Sequence, residues 1–309
     1  MSKMVENNTD RLILEDKMDD WGPFGRHEGE WLIFSVGNPI EGHGYALPRN
    51  VDDLVSQNVA HRIALKTGSR YIAHIPWTTD HAGEAARDWA PKYVPEEEFI
   101  ENVIDFIQFH IKTCKKAGLS SSKVIIFSGH GGNEALELSQ QKIKDNLEVE
   151  ELVIATGEIL TENINLVMVR TKQLAEKMAN SKQEQRKLGN IFVKILLGTG
   201  HASHMEHSMA AAVGVLDNEK LIQMNNQLEQ DFEGTLERFP PVGGLGGYLL
   251  KGGIYEDALG SKKDDKYGLW NCLESLRALD NGKVHPVKEL GELVLEMIIE
   301  LYSNKISQM

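Results

Sequence analysis

Residues 31–36, Trp-Leu-Ile-Phe-Ser-Val, form an apolar run closed by Gly37. Short runs of this kind predict a buried strand. Over residues 50–67 the apolar positions Val51, Leu54, Val55, Val59, Ile63 and Ala64 recur at helical spacing. Asn50 stands where an N-cap is expected and Gly68 where a helix would close. The same alternation continues. Residues 71–75 predict a strand. Residues 96–116 predict an amphipathic helix with Phe99, Ile100, Val103, Ile104, Phe106, Ile107 and Ile111 inward and Gly118 at its end. Residues 124–127 predict another strand, followed by Ser128-Gly129-His130-Gly131-Gly132-Asn133 and a helix. Further strands are predicted at 152–154, 164–169 and 191–197. Helices are predicted at 171–187, where the chain reads as exposed, at about 205–215 and at about 286–302.

Strands alternating with helices argue for an α/β fold, with a mainly parallel sheet flanked by helices on both faces. No internal repeat or low-complexity linker divides the chain, so a single domain over 31–309 is expected. The polar stretch 1–30, with its turn-rich Trp21-Gly22-Pro23-Phe24-Gly25, reads as an N-terminal extension. The most irregular loop is Phe239-Pro240-Pro241-Val242-Gly243-Gly244-Leu245-Gly246-Gly247.

Composition narrows the partners. A formal net charge of -13 on 309 residues repels phosphate backbones and anionic lipid, so neither nucleic acid nor a membrane is expected as a partner. Cys114 and Cys272 are the only two cysteines and form no CxxC pair, which suits a reducing compartment. No apolar run follows a basic start, and no stretch is long and apolar enough for a membrane span. A cytoplasmic location is expected.

The candidate chemistry lies beside the predicted strands. Three of the eleven histidines, His43, His130 and His201, follow predicted strands. Ligands in open α/β sheets bind outside the carboxyl ends of strands. Taken singly, each is more often an ordinary surface or core histidine; three in equivalent places shift the balance. Around His43 the chain reads Glu41-Gly42-His43-Gly44, with Asp52 nine residues on. Carboxylate and imidazole together suit zinc, manganese or iron. The plain alternative makes Glu41 a solvated loop residue and Asp52 a helix cap. His130 is flanked by glycines, which lets its ring and nearby backbone N–H groups approach a bound group. The alternative there is an incidental glycine-rich turn; a P-loop is excluded because no Lys-Ser/Thr follows. In the third cluster, His201-Ala202-Ser203-His204-Met205-Glu206-His207-Ser208, a helix starting near Ser203 would put His204 and His207 on one face. They read equally well as a metal pair or as supporting polar groups.

These three clusters, in this order, resemble the creatininase family of metal-dependent amide hydrolases. The family's first motif, Glu-x-His-Gly followed by an Asp nine residues after the His, is matched by Glu41, His43, Gly44 and Asp52. Its second, Asn-Gly-His-Gly-Gly-Asn, is matched across 128–133, with Ser128 in place of the first Asn. Its third, His-Ala-Gly-Glu-x-Glu-Thr-Ser, is matched at His201, Ala202, Glu206 and Ser208, while Ser203, His204 and His207 depart. The resemblance covers roughly residues 31–215 and continues more weakly to Leu290-Gly291-Glu292-Leu293. It implies a pair of divalent metal ions (zinc, iron or manganese) held by Glu41, His43, Asp52 and His130. Asp52 would bridge them, and Glu206 would be a further site carboxylate. It implies that His201 transfers a proton, so that His201 and Glu206 are the catalytic pair. A homo-oligomer acting on a small molecule is also implied.

Within the family, the chain resembles the archaeal branch that removes formate from a formamidopyrimidine nucleotide on the way to riboflavin and deazaflavin. His201-Ala202-Ser203 and Pro240-Pro241-Val242-Gly243 carry that likeness, and the chain is longer than the branch at its N-terminus and around 255–283. A nucleotide substrate needs a phosphate partner, for which Arg49, Arg87 and Lys92 are candidates. Two other readings stay open. One is a hydrolase of a small cyclic amide or sugar-derived ring, in a pocket closed by Trp77 and Trp89. The other is an inactive protein that keeps only metal binding. His81 in His81-Ala82-Gly83-Glu84 is a candidate substrate-loop residue.

Overall fold

A computed structural model describes residues 30–80, 93–197, 201–231, 234–235 and 283–309. The extension before Glu30, the 239–247 loop, His81, Arg87, Trp89 and Lys92 lie outside the described residues. Four strands, β1 (Trp31–Val36), β2 (Arg70–Ile75), β3 (Lys123–Ser128) and β4 (Glu151–Ala155), pair in parallel in the order β2-β1-β3-β4. β1 is therefore followed by a strand on one side of it and, later, by one on the other. The gap between the carboxyl ends of β1 and β3 is a topological switch point, where open α/β sheets bind ligands. Val36 and Ser128 are partners across that gap.

Strands β1, β3 and β4 bury both faces, as their near-continuous apolar sequences require, while the edge strand β2 is half-buried except at Ile75. On one face Leu32, Phe34, Val36, Val124, Ile126, Leu152 and Ile154 pack against α2 (Glu96–Lys116) and α4 (Gln140–Leu147). On the other, Trp31, Ile33, Ile125, Phe127, Val153 and Ala155 pack under α1 (Val51–Thr67), α8 (His204–Val213) and α10 (Lys288–Ser307). The alternation of odd and even positions between the layers is the two-residue strand period at work. Between these lie α3 (Ala135–Leu138), α5 (Ile159–Glu162), α6 (Ile164–Met178), α7 (Lys182–Leu197) and α9 (Asn218–Gln230).

Helix α2 follows its sequence pattern. Phe99, Ile100, Val103, Ile104, Ile107 and Ile111 are buried, and Glu96, Glu97 and Glu98 sit in the first turn where the helix dipole favours negative charge. Phe106 is only partly buried. Helix α1 closes at Gly68, whose φ of 68° is the left-handed cap geometry glycine favours. Asn50 is not a side-chain cap: it makes no such hydrogen bond.

Two predicted strands are helices. Residues 164–169 open α6, which buries Val167, Thr171 and Ala175 at four-residue spacing and leaves Ile164, Leu166 and Val169 outside. Residues 191–197 close α7, where Phe192 and Ile195 are buried three apart. Short apolar runs fit either state by periodicity alone, and here packing on the neighbouring helices decides. The helix expected over 171–187 is split, because α6 ends at Met178 and α7 begins at Lys182. His201 therefore follows a helix rather than a strand. The last helix starts and ends later than expected, at Lys288 and Ser307.

Helices α8 and α10 cross in backbone contact at Gly291. A Cβ there would lie 2.2 Å from the Ser208 carbonyl oxygen and 2.7 Å from the Met209 nitrogen. Gly291→Ala is expected to push the two helices apart and destabilise the fold by about 1–3 kcal/mol, the usual range for overpacking. A urea midpoint unchanged from wild type would show that the crossing is looser than this.

Candidate metal centre

The site forms where three chain segments meet at the switch point. The loop after β1 carries Asn38, Glu41 and His43, the first turn of α1 carries Asp52, and the turn after β3 carries His130. Residues 201–206, leading into α8, close it from the side with His201 and Glu206. Glu41, His43, Asp52 and His130 are all buried, at 2%, 1%, 5% and 8% exposure, which rules out solvated loop positions for them.

Asp52 faces two histidines with different oxygens. Its Oδ1 is 3.3 Å from His43 Nε2, and its Oδ2 is 3.0 Å from His130 Nδ1. Glu41 faces three: Oε2 lies 3.0 Å from His130 Nδ1 and 3.8 Å from His43 Nε2, and Oε1 lies 2.9 Å from His201 Nδ1. Glu206 Oε1 is 3.5 Å from His43 Nε2, while Oε2 accepts the Ala202 N–H. Ala202 holds a φ of 50°, a strained conformation for a residue with a Cβ, and it turns the chain between His201 and α8. Ser203 caps α8 by accepting the Glu206 N–H at 3.3 Å.

Three sets of side chains come close enough to share a cation: Glu41 with Asp52 and His130, His43 with Asp52 and Glu206, and Glu41 with His43 and His201. The donors fit such an ion. His43 Nε2 is fully buried, faces three carboxylates and has no hydrogen-bond partner among the described residues. Its other nitrogen, Nδ1, lies 3.2 Å from the Glu41 carbonyl oxygen, the type of bond that orients a ligating imidazole. Nitrogen and carboxylate oxygen in this mixture suit zinc, manganese or iron.

Charge is concentrated here. Burial pushes the His43 imidazole down, but Glu206 and Asp52 overcome it and raise its pKa well above the usual value. Burial works against His130 in the same way, and Glu41 and Asp52 raise it well above normal. Burial raises the Glu41 carboxyl, yet His130 and His201 hold it well below the ordinary range. Burial raises the Asp52 carboxyl, but His43 and His130 together hold it below its ordinary value. Protons thus occupy the places where a cation would neutralise these carboxylates, and metal uptake would release them.

Asn38 and Asp80 carry no motif signal of their own, whereas Asn133 is the last residue of the 128–133 motif. Asn38, fully buried, donates from Nδ2 to Glu41 Oε2 at 3.3 Å and accepts the Ile40 N–H at 3.1 Å. Asp80 Oδ2 lies 3.7 Å from His130 Nε2. Asn133 ties three loops: its Oδ1 accepts from Thr78 Oγ1 and the Thr79 N–H, and its Nδ2 donates to the Gly37 carbonyl. Only the placement of an asparagine just after β1, within Gly37-Asn38-Pro39, could draw attention to Asn38 in the sequence.

The remaining candidates fall elsewhere. His204 lies 3.2 Å from the Lys283 carbonyl through Nε2, and His207 lies 2.9 Å from the Ser203 carbonyl through Nδ1. Burial lowers both pKa values to about 4. Neither belongs to a metal-capable cluster among the described residues. Arg49 is exposed and donates to the Ile40 carbonyl at 3.2 Å, one residue from Glu41. Trp77 packs edge-to-face on Phe106, with ring centroids 5.4 Å apart.

Fold and site together define an α/β protein with a buried histidine–carboxylate cluster at the switch point of a parallel sheet. The chain matches no protein-family model. Its relatives by sequence include 2-amino-5-formylamino-6-ribosylaminopyrimidin-4(3H)-one 5'-monophosphate deformylases. That of Methanococcus maripaludis is 28% identical over 120 residues, covering 38% of this chain and 49% of the relative. That of Methanobrevibacter ruminantium is 24% identical over 242 residues, covering 76% and 81%. For the first relatives, the match spans about half of their own length or less. Solved structures of similar shape include a creatinine amidohydrolase (creatininase), with a TM-score of 0.47 and 15% identity over 92% of both chains. A putative creatinine amidohydrolase from Bacteroides fragilis also has a TM-score of 0.47, at 13% identity over 90% of this chain and 89% of that one. The relatives by sequence carry the name of the branch that the sequence motifs resemble.

Proposed function

We propose that this chain is a metal-dependent hydrolase of a non-peptide amide C–N bond, and that its substrate is a formamide carried on a pyrimidine nucleotide. The observation that carries the metal reading is the double-sided Asp52. Its two oxygens serve two separate sets of ligands, Glu41 with His130 on one side and His43 with Glu206 on the other. Two divalent ions fit this arrangement, and when bound they supply a polarised carbonyl and a water with its pKa lowered to about 7.

The chain's own residues supply the rest. Asn38 holds Glu41 by hydrogen bond. Glu206 links the cluster to the loop that carries His201. His201, partly buried between Glu41 and the Gly42 carbonyl, would move a proton to the leaving nitrogen as the C–N bond breaks. The products of that hydrolysis are formate and the free amine. Arg49, exposed beside the Glu41 loop, supports a contact with the substrate phosphate. A homo-oligomer belongs to the same reading, and light scattering tests it.

Formate release is the direct test. The protein loaded with zinc, iron or manganese is expected to release formate from a formamidopyrimidine ribotide, and to stop when a chelator removes the metal. Creatinine is expected to be a poor substrate. No formate from the ribotide and no creatine from creatinine in the loaded protein would overturn the activity.

His201→Ala separates two roles, because His201 also lies in a metal-capable set with Glu41 and His43. A proton carrier is worth roughly 10²–10⁴-fold in rate. The variant is expected to keep its metal and lose turnover in that range. Metal content falling with the rate would make His201 a ligand instead.

A further inference from the structure

Asp53 stands next to Asp52 and is also buried, yet it points elsewhere. Successive helix positions are about 100° apart, so the two carboxylates leave the first turn of α1 in different directions. Asp52 enters the metal centre. Asp53 turns to the edge strand β2, where its Oδ1 lies 3.0 Å from His74 Nε2. These two atoms are in close polar contact without a directed hydrogen bond between them. The other ring nitrogen, His74 Nδ1, is 2.9 Å from Ser35 Oγ, and Ser35 Oγ is 2.8 Å from the Tyr71 hydroxyl. Ser35 and His74 are direct partners in the β1–β2 pairing.

This row of polar groups lies under α1 on a face otherwise filled by Trp31, Ile33 and Phe127. Ser35 is fully buried there. Buried polar groups at an apolar helix–sheet contact lose solvation, and an aliphatic side chain would fill the space without that cost. What they add is position, because the hydrogen bonds of Ser35 to His74 and Tyr71 fix the imidazole, and the imidazole in turn sets where the Asp53 carboxylate can rest. The first turn of α1 is held equally closely on its other sides. A Cβ on Gly37 would meet the Asp53 nitrogen at 2.4 Å, and one on Gly129 would meet Ser56 Oγ at 2.3 Å.

We propose that Asp53, His74 and Ser35 are positioning residues that set the rotation of the first turn of α1 and thereby aim the Asp52 carboxylate between His43 and His130. The proposal rests on the metal reading of the site. Outer groups that orient metal ligands are worth about 10–100-fold in metal affinity. Calorimetric titration of Mn²⁺ or Zn²⁺ into the full, metal-free chain measures this, alongside urea unfolding of the metal-free protein. Asp53→Asn and His74→Gln are each expected to weaken metal binding about 10–100-fold, and the double variant no further than the worse single one, since both break one row. A merely structural role would lower the urea midpoint and leave affinity unmoved, which overturns the proposal, as would fully additive losses. If Asp53→Asn does not fold, Ser35→Ala decides, because it removes the central hydroxyl without removing a charge. Wild-type affinity in that variant overturns the proposal alone. A wild-type chain that takes up no metal overturns the reading of the site, and this proposal with it.

Discussion

Asp52→Asn is expected to lose bound metal and to drop turnover by more than about 10²-fold, beyond the 10–100-fold typical of a change outside the ligand shell. The protein is expected to stay folded. The substitution keeps size and shape but removes the charge. Asp52 Oδ1 and Oδ2 face His43 and His130 at 3.3 and 3.0 Å, so an amide can present an oxygen to only one side. The NH₂ group on the other side would point a donor at a cation. On the proposed two-metal reading, losing the shared carboxylate would also leave two positive ions without the charge between them. The competing account makes Asp52 an N-terminal helix residue of ordinary kind. Asparagine serves a helix N-terminus as well as aspartate, and a cap is worth only about 1 kcal/mol. Metal analysis by mass spectrometry together with a urea midpoint separates the two. Full metal content and normal turnover in the variant would end the bridging role.

Gly37→Ala is expected to damage fold and site together. Gly37 ends β1 against the first turn of α1. An added Cβ would lie 2.4 Å from the Asp53 nitrogen, 2.5 Å from the Asp52 carbonyl carbon and 2.7 Å from its oxygen. All three are backbone atoms, so no side chain can swing away. Relief requires moving α1 off the sheet, which costs about 1–3 kcal/mol or more. It also carries Asp52 away from His130. Gly131→Ala is the matched control in the neighbouring turn, since a methyl group added there would meet nothing within 4 Å. Gly37→Ala is expected to lower the urea midpoint and weaken metal binding, while Gly131→Ala leaves both near wild type. Equal behaviour of the two variants would show that the β1–α1 contact does not govern the site.

Elements with a strong, local pattern are legible in the sequence. Residues 96–116 repeat apolar positions over 21 residues at a spacing that only a helix can bury on one side, while 31–36 and 124–127 are read as strands from their aromatic and β-branched residues and the Gly37 and Ser128-Gly129 that follow them. The strand-end positions of Glu41, His43 and His130 are visible for the same reason, and glycines beside the histidines mark close approach. Residues 164–169 and 191–197 are not decided this way. Their apolar runs are short, and only packing on the neighbouring helices shows which side chains are buried. Which groups meet is a matter for the folded chain. Asn38 and Asp80 reach His130, and Asp53 reaches His74, across separations no local pattern encodes. Those contacts exist because the parallel strand order β2-β1-β3-β4 brings three separate loops to one switch point, and strand order is a property of the whole sheet rather than of any window of sequence.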